Sequence, residues 1–176
     1  ILLTLYRDVF GPDDAFVLSK GHAAGALYVA LWSLGHLSDT DLETFHKDGT
    51  LLSAHPPATG LDDVLFATGS LGHGLPLCCG LALAKKLRSG PGRVFCLTSD
   101  GEWNEGSNWE ALIFARQQRL GNLTVIVDCN GLQGFGTTAE VADLAPLGRK
   151  FTDFGWEVAE VDGHNPAAIA AAMDIQ

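Results

Sequence analysis

An Asp-Gly pair at Asp100-Gly101 and an Asn-Gly pair at Asn130-Gly131 stand 30 positions apart in the chain. A carboxylate and an amide oxygen are hard ligands. They suit Mg²⁺, or Ca²⁺ as its substitute, when a diphosphate supplies further oxygens. Gly101 has no side chain, so the backbone can approach a phosphate closely there. Taken singly, each dipeptide is ordinary turn punctuation. The chemistry depends on whether the surrounding elements bring the two pairs together.

They do, on pattern. Residues 93–98 (Arg-Val-Phe-Cys-Leu-Thr) and 123–128 (Leu-Thr-Val-Ile-Val-Asp) are short, apolar, β-prone runs, the first bounded by Gly92 and Asp100, and both read as buried strands. Between them Ser107-Asn108-Trp109-Glu110 fits a capping box that opens a helix reaching Leu120 and closing at Gly121. Strand, helix and strand in this order form a βαβ unit with parallel strands. Asp100 and Asn130 then emerge side by side at the carboxyl edge, where open α/β sheets bind ligands.

The remaining elements complete an α/β pattern with a mostly parallel sheet and helices on both faces. A helix is expected from His22 to Leu34, ended by Gly35, and a short one from the Ser38-Asp39-Thr40-Asp41 box through Lys47. Residues 48–74 are loop-rich. A helix follows from Leu75 to Arg88, stopped by Gly90-Pro91-Gly92, and the chain ends with a strand at Glu157–Val161 and a helix from Pro166. No repeat or linker interrupts the 176 residues, so one domain over 1–176 is expected.

Composition narrows the partners. Eleven Lys+Arg against 21 Asp+Glu give a net charge of −10, which argues against nucleic acid, whose phosphates are held by clustered basic side chains. With 47% hydrophobic and only 18% charged residues, the surface is under-charged for a lone soluble domain, which predicts burial against another chain. The charge-free stretches Gly21–Ser38 and Val64–Ala84 read as buried helices with polar loops rather than membrane spans; the second carries four glycines and Pro76. Cys78, Cys79, Cys96 and Cys129 show no CxxC spacing and read as buried free thiols of a reducing cytoplasm. No basic region precedes Leu2-Leu3, so no leader is expected.

The segment Ser99-Asp100-Gly101-Glu102, then Glu105-Gly106 and on to Asp128-Cys129-Asn130, resembles the thiamine diphosphate motif of the transketolase family, which begins Gly-Asp-Gly and ends in Asn. Three further stretches resemble family segments in the family's order: Phe16-Val17-Leu18-Ser19-Lys20-Gly21-His22, His55-Pro56, and Thr68-Gly69-Ser70-Leu71-Gly72. Together they span residues 6–165. The resemblance implies a three-layer thiamine diphosphate-binding fold. It implies Mg²⁺ held by Asp100, Asn130 and the carbonyl of Leu132, with Ser99, Gly101 and Glu102 at the diphosphate and Gly69, Ser70 and Leu71 along the cofactor. His22 and His55 match histidines of the substrate channel, His73 sits in the glycine-rich loop, and Glu105 matches a glutamate at a subunit contact near the cofactor. The implied reaction is transfer of a two-carbon ketol unit from a ketose, often phosphorylated, to an aldose. Relatives in chemistry that share Asp-Gly…Asn are deoxyxylulose-phosphate synthases and 2-oxoacid dehydrogenase components. A non-catalytic scaffold of the same fold is the alternative outside enzymes.

The sequence departs from the family at three places: Ser99 stands for the first Gly, Ala54 precedes His55-Pro56 in place of Gly, and His73 stands for Gln. Within residues 1–176 no stretch is expected to form the second α/β domain that activates the pyrimidine. The implied assembly therefore pairs this chain with a pyrimidine-domain subunit, as an α2β2 heterotetramer. Among the other histidines, His36 and His46 read as surface residues and His164 as a turn residue. Trp103 and Trp109 flank the motif, where either core or interface packing would suit them.

Overall fold

The computed structural model describes residues 1–57 and 59–174. Its centre is a parallel sheet in the order β1-β2-β3, made of β1 (Ala15–Leu18), β2 (Val94–Ser99) and β3 (Leu123–Asp128). The register runs from Val94↔Leu123 to Ser99↔Asp128, with Ala15–Leu18 alongside Val94–Leu97. The βαβ unit is thus present with the expected strand bounds at β3, and β2 is shifted by one residue.

Alternation along the strands sorts the core into two layers. Phe16, Leu18, Phe95 and Leu97 face one side. There they meet α2 (Ala24–Ser33), through Leu27, Tyr28 and Leu31, and α8 (Pro166–Met173), through Ile169 and Met173. The short amino-terminal α1 (Leu2–Thr4) joins this layer through Leu2. Ala15, Val17, Val94 and Cys96 face the other side, against α4 (Gly74–Leu87) and α5 (Gly106–Gln117). Trp103 is fully buried in this second layer, 5.2 Å from the half-buried Trp109 and 4.5 Å from Phe151 between ring centroids, so the core reading holds for Trp103. Helices on both faces make the expected three-layer α/β fold.

Helix ends follow the local chemistry. Gly35 adopts φ +83° and ends α2 as expected: its N–H donates to Trp32 O at 2.9 Å and that of His36 to Leu31 O at 3.0 Å. The Ser38 capping box opens α3 (Asp39–Glu43). That helix stops short of Lys47 because His46 takes φ +59° and donates its N–H to Leu52 O. α5 ends before Gly121 because Arg119, at φ +51°, already occupies the left-handed position, with Leu120 N–H donating to Ala115 O.

Two expectations fail. Residues 157–161 form no strand; Val158 and Val161 are exposed and no backbone ladder pairs them. Val158, Ala159 and Val161 give the run its strand-like character, but no strand lies alongside it. Cys129 is exposed rather than buried, since β3 ends one residue earlier; Cys78, Cys79 and Cys96 are buried and all four are free. The chain after β3 makes a short antiparallel ladder, β4 (Leu132–Gln133) with β5 (Gly136–Thr137), followed by α6 (Thr138–Ala142) and α7 (Leu147–Asp153). Among the described residues no helix is long and apolar enough to cross a membrane.

Phe95, fully buried at the centre of the sheet, is the sharpest test of this packing. Phe95→Ala is expected to cost about 3–5 kcal/mol of unfolding free energy, read by denaturant titration.

Candidate functional site

β1, β2 and β3 end side by side at Leu18, Ser99 and Asp128. The turns that leave these three strand ends build the site. After β2, Asp100 is only 8% exposed; its Oδ1 accepts the N–H of Gly101 at 2.9 Å and its Oδ2 that of Gly131 at 2.8 Å. One carboxylate therefore fastens the β2 turn to the Asn130-Gly131 turn beyond β3. Among the described residues no cationic side chain pairs with it. Asn130 is exposed, and its Oδ1 accepts the N–H of Leu132 at 2.9 Å, which curls the turn back.

Gly101 lies against Gln133: a Cβ at position 101 would stand 2.7 Å from the Gln133 Cβ. Nε2 of Gln133 is buried without a hydrogen-bond partner. An orphaned buried donor beside a glycine fits an anionic oxygen, and a buried carboxylate without a counter-ion fits a cation. The same sign of field adds at Cys129, whose thiol is pushed up first by partial burial and then by Asp100, Asp128 and Glu160. Among the described residues no three His, Cys, Asp or Glu side chains cluster as a metal cage. A cation here would need one carboxylate, an amide oxygen, a backbone carbonyl and oxygens brought by a ligand. That is the hard, oxygen-only set that Mg²⁺ or Ca²⁺ takes with a diphosphate.

The loop of residues 68–73 forms a second wall. Thr68 Oγ1 donates to Leu18 O at 2.6 Å. A Cβ on Gly21 would come within 2.7–2.8 Å of the Thr68-Gly69 backbone, so only glycine lets the turn after β1 lie against this loop. The His55 ring covers Gly69, with Cδ2 3.0 Å from where a Cβ would be. Gly69 and Ser70 are exposed and Leu71 is half-buried. Gly72, at φ +80°, is wedged against Glu105 and Ser107, and Ser107 Oγ donates to Gly72 O at 2.7 Å. That contact takes the hydroxyl away from its expected capping role. α5 instead starts two residues earlier, behind Glu105, without a side-chain cap.

After β1, the turn carries Ser19, Lys20, Gly21 and His22. Lys20 is 5% exposed, and its Nζ donates to Asp128 Oδ2 at 2.6 Å, an ion pair that spans β2 from β1 to β3. His22 is solvent-reached, and its pKa is held below the ordinary imidazole value by partial burial, then by the Lys20 cation and by His55, with Glu102 and Asp128 opposing.

The structure thus brings Asp100 and Gly101 against the Asn130–Gln133 turn, and His55 onto Gly69 with His22 nearby. His73 stands at the amino end of α4, its Nδ1 3.2 Å from the carbonyl oxygens of Ser70 and Leu71, so its ring is engaged with its own loop. Glu105 is exposed at the start of α5. Ser99 is buried and uses its N–H internally. Glu102, expected at the diphosphate, is fully buried, with both carboxylate oxygens taken by protein donors; its side chain does not face a ligand. Lys20 and Gln133 were not among the expected residues. Lys20 had a signal, being the only Lys, Arg, Asp or Glu between Asp14 and Asp39. Gln133 had none.

Comparison with known proteins points the same way. Residues 7–176 match the thiamine diphosphate-binding domain of transketolase. The chain is 38% identical over 169 residues to an apulose-4-phosphate transketolase subunit of Actinobacillus succinogenes, covering 96% of this chain and 61% of that protein. It is 39% identical to the 6-deoxy-6-sulfo-D-fructose transketolase subunit SqwG of a Clostridium species, covering 92% and 58% respectively. Among solved structures, transketolase from Leishmania mexicana superposes with a TM-score of 0.88 at 28% identity, covering 97% of this chain and 28% of that one. The chain spans about three-fifths of the subunits it matches and about a quarter of the longer enzyme.

The histidine pair supplies a direct check on the geometry. In an NMR titration His22 is expected to titrate below an ordinary imidazole, staying neutral to lower pH, and Lys20→Met is expected to raise its midpoint by removing the adjacent cation. A midpoint that ignores Lys20 would contradict the arrangement.

Proposed function

Because the chain belongs to the transketolase family, through its thiamine diphosphate-binding domain, we propose that it is the diphosphate-binding part of a two-subunit transketolase. Residues 1–176 act in this reading as a single domain. The reaction is transfer of a two-carbon ketol unit from a ketose phosphate to an aldose. The names of the two bacterial relatives, each a transketolase subunit, support the two-subunit reading. The observation that carries the proposal is Asp100: a buried carboxylate at the carboxyl edge of a parallel sheet, hydrogen-bonded to two turns and lacking a counter-ion among the described residues.

Asp100, the Asn130 amide oxygen and the Leu132 carbonyl hold Mg²⁺, with Ca²⁺ able to replace it, and Gly101, the Ser99 turn and Gln133 receive the diphosphate. Gly69, Ser70 and Leu71 offer their backbone along the cofactor. Thiamine diphosphate, when bound, supplies the carbanion chemistry that breaks and forms the carbon–carbon bond. The chain's own residues orient and exclude. His55, which covers Gly69, and His22 nearby accept hydrogen bonds from sugar hydroxyls and take or return their protons. The lowered pKa of His22 favours its neutral imidazole, whose unprotonated nitrogen accepts a hydrogen bond. His73 holds the loop it caps, and Glu105 lies at the surface where a partner subunit meets the cofactor. The partner carries the pyrimidine-binding domain, two copies of each subunit form an α2β2 enzyme, and the assembly works in the cytoplasm. No nucleic acid or membrane enters the reading.

Two measurements test it. Calorimetric titration of thiamine diphosphate with Mg²⁺ is expected to show binding that Asp100→Ala abolishes; unchanged affinity in that variant overturns the metal assignment. Ketol transfer from a ketose phosphate is expected to be absent with this chain alone and to appear with a pyrimidine-domain partner. Full activity of the lone chain overturns the two-subunit reading.

A further inference from the structure

We propose that Glu102 is a positioning residue, a buried carboxylate clasp that fixes the three turns of the site relative to one another. This rests on the functional reading above, and goes beyond it by giving a role to a side chain that is shut off from solvent. Glu102 is 0% exposed. Its Oε1 accepts from Ser19 Oγ and from the N–H of Gly72 at 2.9 Å, and its Oε2 accepts the N–H of Ser99 at 3.3 Å. Those donors belong to three separate segments: the turn after β1, the loop before α4, and the end of β2.

Each segment ends in residues of the site. Ser19 is three positions before His22, Gly72 follows Ser70 and Leu71, and Ser99 precedes Asp100 and Gly101. The clasp is braced from behind. The Glu102 carbonyl accepts from Asn108 Nδ2 at 2.9 Å, and Ser107 Oγ donates to Gly72 O, so the amide and carbonyl of Gly72 are both held from one short stretch of chain. Gly74 packs directly on Ser19, leaving no slack between the first two segments.

Charge is what lets one side chain hold all three. A carboxylate accepts at both oxygens and bonds its donors more strongly than a neutral amide does. Glu102→Gln keeps the shape, but an amide has one acceptor oxygen, and its NH₂ would confront either the Ser99 N–H or the Gly72 N–H. The segments would then loosen against each other while the sheet beneath stays in register.

The test compares Glu102→Gln with Leu31→Ala, a core variant in the layer on the other side of the sheet, using the full chain. Two readouts are taken: amide hydrogen exchange at Gly72 and Ser99, and calorimetric affinity for thiamine diphosphate with Mg²⁺. Glu102→Gln is expected to speed exchange at both amides and to weaken affinity by about tenfold or more. Leu31→Ala is expected to lower the melting temperature without either effect. Ser19→Ala removes one donor, keeps the charge and stands in if Glu102→Gln does not fold; it is expected to weaken affinity in the same direction by a smaller factor. Unchanged exchange at Gly72 and Ser99, or an affinity loss matched by Leu31→Ala, overturns the clasp. If the unaltered chain binds no thiamine diphosphate, the functional reading fails, and the amide exchange alone decides whether Glu102 holds the three segments.

Discussion

Parallel strands place every strand end on one edge, and in this chain that geometry crowds three turns into a space with little room for side chains. The turn after β1 must lie against the loop of residues 68–73, which must in turn lie against the turn after β2. Glycine is required where these backbones meet. A Cβ on Gly21 would collide with the Thr68-Gly69 backbone, and one on Gly72 would stand 2.6 Å from Glu105 Cβ and Ser107 Oγ. Polar groups left facing inward by this crowding need partners, since a buried unpaired donor or acceptor costs about 1–3 kcal/mol. Glu102 meets three of them, and Asp100 two more across the gap between β2 and β3.

The same edge explains how a chain with a net charge of −10 can present a site for an anion. Several of its cations are engaged at the opposite edge: Arg93 donates to Asp14 and to Val9 O, Lys85 to the carbonyls of Asp13 and Pro91, and Lys86 to those of Gln118 and Arg119. Near the strand ends Lys20 is already neutralised by Asp128 at 2.6 Å. What remains there is a group of carboxylates, Asp100, Asp128 and Glu160, which add to partial burial in pushing the Cys129 thiol up. Such a field repels a bare diphosphate and attracts a divalent cation. In the proposed reading an anion would therefore arrive with its metal, and the unpartnered Nε2 of Gln133 and the backbone of Gly101 would meet the remaining oxygens.

How much of this is legible in the chain depends on range. β2 and β3 can be read because each is a continuous apolar run closed by Gly or Asp, and their parallel pairing follows from the helix between them. That alone brings Asp100 and Asn130 together. β1 does not read as a strand, since four residues carry too little pattern; only the motif around His22 marks it. Residues 157–161 mislead for the opposite reason: they have strand pattern but no ladder in the fold. Long-range polar contacts are the least legible. Ser107 has every local feature of a helix cap, yet Gly72, 35 residues earlier, holds its hydroxyl. Glu102 adjoins the motif and so reads as a diphosphate contact, while Ser19, 83 residues away, draws it inward. Local pattern places a side chain on the backbone. Which way it points is settled by partners distant in sequence.

The under-charged composition also acquires a location. α2 buries Leu27, Tyr28 and Leu31 against the sheet and still exposes Val29 at 48% and Trp32 at 41%. α5 buries Ala111, Leu112 and Ala115 and exposes Ile113 at 54% and Phe114 at 40%. A helix at the rim of a lone domain normally turns a charged face outward. These two, on opposite faces of the sheet, carry large apolar groups on both sides, as helices do when a second surface packs over them. The composition and the fold thus agree with the proposed assembly: the apolar excess sits on the outer faces of the helices that flank the site, where burial against further subunits would remove it from water.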